Sequence, residues 1–286
     1  MKVLVTGVNG QLGYDVVKEL ENRGHVAVGV DVEDMDITDR GEVERVIREV
    51  SPEAVIHCAA WTAVDKAEQY PETVYEVNAL GAKYIAEQCR EINAKMVFIS
   101  TDYVFAGTGD RPYEVSEERK GLSVYGKSKV CGEDFVTAAL DRYYIVRTTW
   151  VFGANGGNFV KTMLRLADSG KTELNVVNDQ IGSPAYTKDL ARLLVDMIET
   201  DKYGVYHATN EGFCSCYEFA CEIFRQAEKS VKVNPVTTEE YLKMVPQQAK
   251  RPLNSRLDKS KLSENGFERL PAWQNALKRY LEEIKA

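Results

Sequence analysis

Two residues four positions apart carry the first sign of chemistry. Tyr125 and Lys129, in the string Tyr125-Gly-Lys-Ser-Lys129, fall on one face of a helix about one turn apart. A free phenol has a pKa of about 10 and is a weak acid at neutral pH. An ammonium beside it stabilises the phenolate and lowers that pKa. Such a pair is suited to hand a proton to the alkoxide that develops when a carbonyl is reduced. The spacing alone is common on exposed helices, so it needs company. Ser100-Thr101-Asp102 closes the apolar run Lys95-Met-Val-Phe-Ile99 and places a hydroxyl, that of Thr101, where it could hold a substrate oxygen.

A second group of residues reads as a phosphate cradle. Gly7-Val-Asn-Gly10-Gln-Leu-Gly13 lies between an apolar strand, Lys2-Val-Leu-Val-Thr6, and a helix from Gln11 to about Asn22. Glycines allow a tight turn and close backbone approach, and a helix N-terminus offers unpaired N–H groups to a pyrophosphate. Asp31 follows a second strand, Val26-Ala-Val-Gly-Val30. A carboxylate there accepts hydrogen bonds from an adenosine ribose, and its charge opposes a 2′-phosphate, which makes NADH chemically sensible without excluding NADPH. Ala59-Ala-Trp-Thr62 follows a third strand, Ala54-Val-Ile-His57, with small residues that let a cofactor lie against the backbone.

These groups need a scaffold, and the first half of the chain supplies one. Helices are expected near Glu42 to Val50, about Pro71 to Ile92, and from near Val124 to before Asp141, with a fifth strand at Tyr143-Tyr-Ile-Val-Arg147. The strands are continuous apolar runs, the mark of a parallel sheet covered on both faces. The expected fold class is therefore α/β, a doubly wound parallel sheet of Rossmann type. Residues 1–150 are read as the dinucleotide-binding domain. A helix from about Lys188 to Glu199 and a strand near Val205-Tyr-His207 rejoin it at about 185–210. About 151–184 and 211–286 are left as a smaller, discontinuous substrate-binding lobe, with an irregular tail from about Val231.

Bulk properties exclude other classes. The chain has 286 residues and a net charge of −8, which gives no electrostatic footprint for nucleic acid. No stretch approaches a membrane helix, and Met-Lys-Val-Leu-Val-Thr-Gly is too short an apolar run for a signal peptide. The six cysteines form no pair of C-x-x-C motifs and read as reduced thiols of a cytoplasmic protein.

With these residues in view, the chain resembles the extended short-chain dehydrogenases, and within them the dTDP-4-dehydrorhamnose reductases. The strings that carry the resemblance include Thr6-Gly-Val-Asn-Gly-Gln-Leu-Gly13, Ala59-Ala-Trp-Thr-Ala-Val-Asp-Lys-Ala-Glu68, Ser100-Thr-Asp-Tyr-Val-Phe105, Arg147-Thr-Thr-Trp150, Asn178-Asp-Gln-Ile-Gly182 and Arg251-Pro-Leu-Asn-Ser-Arg-Leu257. The resemblance implies NAD(P)H-dependent reduction of the C4 keto group of a nucleotide-linked sugar, dTDP-4-dehydro-L-rhamnose. It makes Tyr125 the proton donor, Lys129 its tuning partner and the holder of the nicotinamide ribose, and Thr101 the residue that positions the keto oxygen. Gly10, Gln11, Leu12, Asp31, Asp36, Ile37, Ala60, Trp61, Thr62 and Ile99 match cofactor-contacting positions. Thr101, Asp102 and Trp150 match positions that contact the nucleotide-sugar. Some members bind magnesium through acidic residues at a homodimer interface. Asp15 and Asp189 stand at two of those places, each a methylene shorter than the Glu found there.

Two other readings stay open on the sequence. A nucleotide-sugar epimerase uses the same Tyr/Lys pair with a cofactor that stays bound. A non-catalytic protein like the regulatory subunit of methionine adenosyltransferase resembles this family and acts by docking. A 4,6-dehydratase is disfavoured, because it needs Asp-Glu after the active-site Thr and here Asp102 is followed by Tyr103.

Overall fold

The computed structural model describes residues 1–246 and 248–285. In the first half, β1 (Lys2–Thr6), β2 (Val26–Val30), β3 (Ala54–His57), β4 (Lys95–Thr101) and β5 (Tyr143–Thr148) alternate with helices. These are α1 (Gln11–Asn22), α2 (Arg40–Val50), the short α3 (Val64–Ala67) and α4 (Pro71–Tyr75), α5 (Gly81–Glu91) and α6 (Val124–Ala139). The second half holds β6 (Val151–Phe152), α7 (Phe159–Asp168), β7 (Glu173–Val177), β8 (Ile181–Gly182), β9 (Ala185–Tyr186), α8 (Thr187–Ile198) and β10 (Gly204–His207). It ends with β11 (Cys214–Ser215), α9 (Cys216–Gln226), β12 (Lys232–Val236), α10 (Thr238–Met244), α11 (Ser260–Glu264) and α12 (Trp273–Glu283).

Six strands form one parallel sheet in the order β10-β5-β4-β3-β1-β2. The chain leaves β1 for β2 on one side and then crosses back to β3 on the other. That reversal opens a crevice at the carboxyl ends of β1 and β3. Successive side chains of a strand face opposite ways. Val3, Val5 and Ile56 therefore pack against Val16 and Leu20 of α1 and Leu190 and Leu194 of α8. Leu4 and Val55 pack on the other face with Ile47, Ile85 and Val136 of α2, α5 and α6. A separate aromatic core joins Phe152, Tyr186, Phe219, Trp273 and Tyr280.

The strand near Val205 does rejoin the sheet: β10 pairs in parallel with β5. Three expectations need correction. β2 is the edge strand and is half-exposed, so it is not covered on both faces. The long helix from Pro71 is not uniform, because Glu76–Leu80 forms a π turn between α4 and α5. The wide turn presents the buried amide of Asn78, which accepts from the Trp61 N–H (2.8 Å) and donates to the Trp61 carbonyl (3.2 Å) and to Ser128 Oγ (3.0 Å). The tail is more regular than expected, since β12 pairs with β7 and α12 buries Trp273, Ala276, Leu277, Tyr280 and Leu281.

Candidate active site

The crevice has a volume of about 750 Å³ and draws together the catalytic, cofactor-contacting and substrate-contacting residues singled out in the sequence, but not Asp15 or Asp189. Gly7, Gly10, Gln11, Leu12 and Gly13 line it at the end of β1, and Asp31, Asp36 and Ile37 beyond β2. Ala60, Trp61 and Thr62 line it after β3, and Ile99, Thr101 and Asp102 at the end of β4. Tyr125 and Lys129 line it from α6, and Trp150 from beyond β5.

The glycine turn is tight because β1, α1 and β3 meet there without side chains. A Cβ on Gly13 would lie 2.3 Å from the Gly7 carbonyl oxygen. Gly7 itself has φ +70°, and a Cβ there would lie 2.7 Å from the Ala59 nitrogen. The result is a bare backbone cradle ahead of the α1 N-terminus, which fits a dinucleotide pyrophosphate. Asp31 Oδ2 accepts from the Asn9 N–H at 2.9 Å, which fixes the carboxylate beside the cradle. The Gln11 side chain does different work: Oε1 accepts from the Gly153 N–H (3.0 Å) and from Asn158 Nδ2 (2.9 Å). Asn155 Nδ2 donates to the Asn9 carbonyl at 2.8 Å. Loop 153–158 is thereby tied over the glycine turn.

The catalytic face is set by α6. Ser123 caps it, its Oγ accepting from the Gly126 N–H at 3.1 Å. A Cβ on Gly126 would lie 2.3 Å from the Tyr103 carbonyl oxygen, so the glycine after Tyr125 lets the helix seat against the turn after β4. The Tyr125 phenol and the Thr101 side chain line the same crevice, and Thr101 acts to lower the phenol's pKa. Thr101 Oγ1 accepts from the Tyr103 N–H (3.2 Å) and donates to Asp102 Oδ1 (3.1 Å). Asp102 is buried and receives the Ser255 hydroxyl; burial pushes its carboxyl up to about 6 against these bonds.

Burial is the largest influence on the protonation of the Tyr125/Lys129 pair. Burial pushes the Tyr125 phenol above its ordinary range, against the lowering influence of Thr101, and Lys129 is not among the groups acting on it. Burial instead pushes Lys129 down to about 7, against the charge of Glu133. Its Nζ sits 3.9 Å from the centre of the Phe98 ring and has no hydrogen-bond partner among the described residues. The reason is desolvation: the same apolar surroundings penalise phenolate and ammonium alike. A partnerless ammonium lining the crevice fits the hydroxyls of a nicotinamide ribose, and with the glycine cradle it makes the residues present a match for a nicotinamide dinucleotide. A phenol that keeps its proton at neutral pH suits a donor.

Sequence reasoning missed a second pocket of about 210 Å³ that shares Tyr103, Trp150 and Val151 with the crevice. Phe152, Phe159, Phe219, Pro252, Gln180, Cys216, Arg251 and Ser255 complete it. Trp150 has φ +45° and forms a wall of both cavities. Arg251 Nη2 bridges both Asp65 oxygens (3.2 and 3.0 Å), and Nη1 donates to the Tyr103 hydroxyl (3.3 Å). The string Arg251-Pro-Leu-Asn-Ser-Arg-Leu257 was the available signal, and no role had been attached to it.

Asp15 and Asp189 do not fit a magnesium site. Asp189 accepts from Arg279 on both oxygens (2.8 and 2.6 Å) and from Asn210 Nδ2 (2.7 Å). Asp15 is buried, bonded to the Thr187 hydroxyl, and pushed above the ordinary carboxylate range by burial. Among the described residues no group of three His, Cys, Asp or Glu converges as metal ligands.

The family described as the RmlD substrate binding domain matches residues 1–286. The spore coat polysaccharide biosynthesis protein SpsK of Bacillus subtilis is 41% identical, covering 99% of this chain and 97% of its own. The dTDP-4-dehydrorhamnose reductase of Aggregatibacter actinomycetemcomitans is 40% identical, covering 97% of each. The crystal structure of dTDP-4-dehydrorhamnose reductase from Bacillus anthracis in complex with NADP is similar at a TM-score of 0.94 and 42% identity, covering 99% of each chain. With the glycine cradle, Thr101, Tyr125 and Lys129 on one crevice and this full-length likeness together, the chain belongs to the RmlD substrate binding domain family, the family of the dTDP-4-dehydrorhamnose reductases.

Proposed function

We propose that this protein uses NADPH or NADH to reduce the C4 keto group of dTDP-4-dehydro-L-rhamnose, giving dTDP-L-rhamnose. The observation that carries the reading is the gathering of the Thr101 and Tyr125 hydroxyls and, one helical turn from Tyr125, the Lys129 ammonium on the same crevice as the glycine cradle. Bound in the crevice, a reduced nicotinamide supplies the hydride.

The chain's own residues do the rest. Thr101 holds the keto oxygen between its hydroxyl and that of Tyr125. As charge develops on that oxygen, Tyr125 delivers its proton, because an alkoxide is more basic than a phenolate even when burial has raised the phenol. Lys129, whose ammonium has no hydrogen-bond partner among the described residues, holds ribose hydroxyls. The nucleotide end enters the aromatic pocket beyond Trp150, where Arg251 is the cation available to a diphosphate. On this reading 151–184 and 211–286 form the nucleotide-sugar lobe. The substitution of a salt bridge for metal ligands at Asp189 favours a protein that works without magnesium.

Mixing the protein with NADPH and a dTDP-4-keto-6-deoxyhexose tests this. Oxidation of one NADPH per sugar is expected. Binding of both without oxidation would favour a docking protein, and interconversion of sugars with the nicotinamide unchanged would favour an epimerase.

A further inference from the structure

The ammonium of Lys129 is 2% exposed, and a buried charge needs compensation. Facing it are the His57 imidazole at the end of β3, pushed down to about 3 by burial, and the Cys58 thiol just past that strand, pushed up to about 12 by burial, both neutral near pH 7. Tyr125 stands one turn back on the same helix, and Asp102 acts on Tyr125. Glu133 stands one turn further on, and it is the carboxylate that acts on Lys129.

Glu133 is 1% exposed and saturated with donors. Its Oε1 accepts from Ser100 Oγ (2.6 Å) and Arg147 Nε (2.9 Å); its Oε2 accepts from Arg147 Nη2 (2.7 Å) and Arg119 Nη1 (3.1 Å). Arg119 is also paired with Asp134 at 2.7 Å. Burial would raise the Glu133 carboxyl, but Arg147 holds it below its ordinary value, so it stays charged. The cluster joins three elements. Ser100 immediately precedes Thr101 on β4, Arg147 immediately precedes Thr148 on β5, and Glu133 lies on the Tyr125–Lys129 face of α6.

We propose that Glu133 is a positioning residue of the active site, whose carboxylate, clamped by Ser100, Arg147 and Arg119, holds a buried anion one helical turn from the Lys129 ammonium and locks the Tyr125–Lys129 face of α6 against the Thr101 end of β4. Replacing it by a neutral group leaves the buried Lys129 and Arg147 without this anion. Replacing Arg147 instead leaves Glu133 free to act on Lys129 alone. The two changes disturb the same packing but push Lys129 in opposite directions.

The inference rests on the reductase reading for its kinetic arm but not for its binding arm. The test measures the NADPH dissociation constant, by nicotinamide fluorescence, and kcat with the keto sugar, both against pH. In Glu133→Gln, the pH above which binding weakens and kcat falls moves down by about one unit. In Glu133→Asp, which keeps the charge, it stays within a few tenths of a unit of wild type. In Arg147→Met it stays or moves up, and this variant decides the matter if Glu133→Gln does not fold. A downward move of equal size in Glu133→Gln and Arg147→Met, or no move in either, overturns the proposal. Wild-type protein that binds NADPH but never oxidises it overturns the reductase reading, and the binding curves still decide the role of Glu133.

Discussion

Tyr125 and Lys129 share a helix face, yet the protein treats them oppositely from the outset. Burial keeps the phenol protonated and makes the ammonium costly. Tyr125→Phe removes the proton donor without emptying the crevice. Turnover is expected to fall by about 10²–10⁴-fold, with the NADPH dissociation constant changed by less than about threefold, as measured by steady-state kinetics and fluorescence titration. Lys129→Met tests the cost. The Lys129 folded value of about 7 lies below the free side chain's 10.5. Between these values the unfolded chain binds more protons, so this group's contribution to stability improves as pH rises through that window. Below pH 7 the contribution is at its least favourable. Lys129→Met is therefore expected to raise Tm by a few degrees at or below pH 7 while weakening NADPH binding, and a lower Tm would contradict the account. Asp31, fixed by the Asn9 N–H beside the cradle, carries a third expectation. Asp31→Ser should shift preference toward NADPH over NADH, read as the ratio of the two dissociation constants.

The elements hold these residues by backbone fits that side chains would spoil. The glycine after Tyr125 lets α6 lie against the Tyr103 carbonyl, and Gly126→Ala would force a Cβ to within 2.3 Å of that oxygen. Such a clash displaces the whole catalytic face, so activity should fall together with Tm. The aromatic pocket answers to a different element, the stretch after α10 that delivers Arg251 to Tyr103 and Asp65. A charged hydrogen bond is worth about 1.5–3 kcal/mol, or roughly 10–100-fold in affinity. Arg251→Gln is expected to raise KM for the nucleotide-sugar by that factor with a much smaller change in kcat. An unchanged KM would show that the diphosphate is held elsewhere. Arg251 was readable as part of a string but not as a site residue. Its position depends on pairing across 186 sequence positions with Asp65, and no local pattern encodes that.

At the scale of the molecule, legibility followed the length and periodicity of the signal. The strands of the main sheet were readable because they are apolar runs closed by glycine or polar turns. The glycine cradle was readable because it occupies the one turn that must be bare. The burial of α12 along Trp273, Ala276, Leu277, Tyr280 and Leu281 follows helical spacing and was available to a closer reading. So was α9, whose Ser215–Glu218 capping box marks its start. The π turn at Glu76–Leu80 was not readable, since it answers to Asn78 meeting Trp61 and Ser128 in three dimensions. Nor was the direction of the Tyr125 shift, which depends on how deeply the phenol is buried. The shorter Asp15 and Asp189, which on resemblance already made magnesium binding doubtful, are answered at this scale too. Arg279 from α12 spans to Asp189 on α8. Activity is accordingly expected to be indifferent to EDTA and to added magnesium, within twofold, in a steady-state assay.

The most direct test follows one hydrogen. The protein is mixed with NADPH carrying deuterium at the transferable position of the nicotinamide and with dTDP-4-dehydro-L-rhamnose, and the sugar is examined by NMR. The account predicts one deuterium at C4 of dTDP-L-rhamnose in wild type, and in Tyr125→Phe the same label on product formed about 10²–10⁴-fold more slowly. Deuterium retained on the nicotinamide, with both molecules bound to wild-type protein, would contradict it.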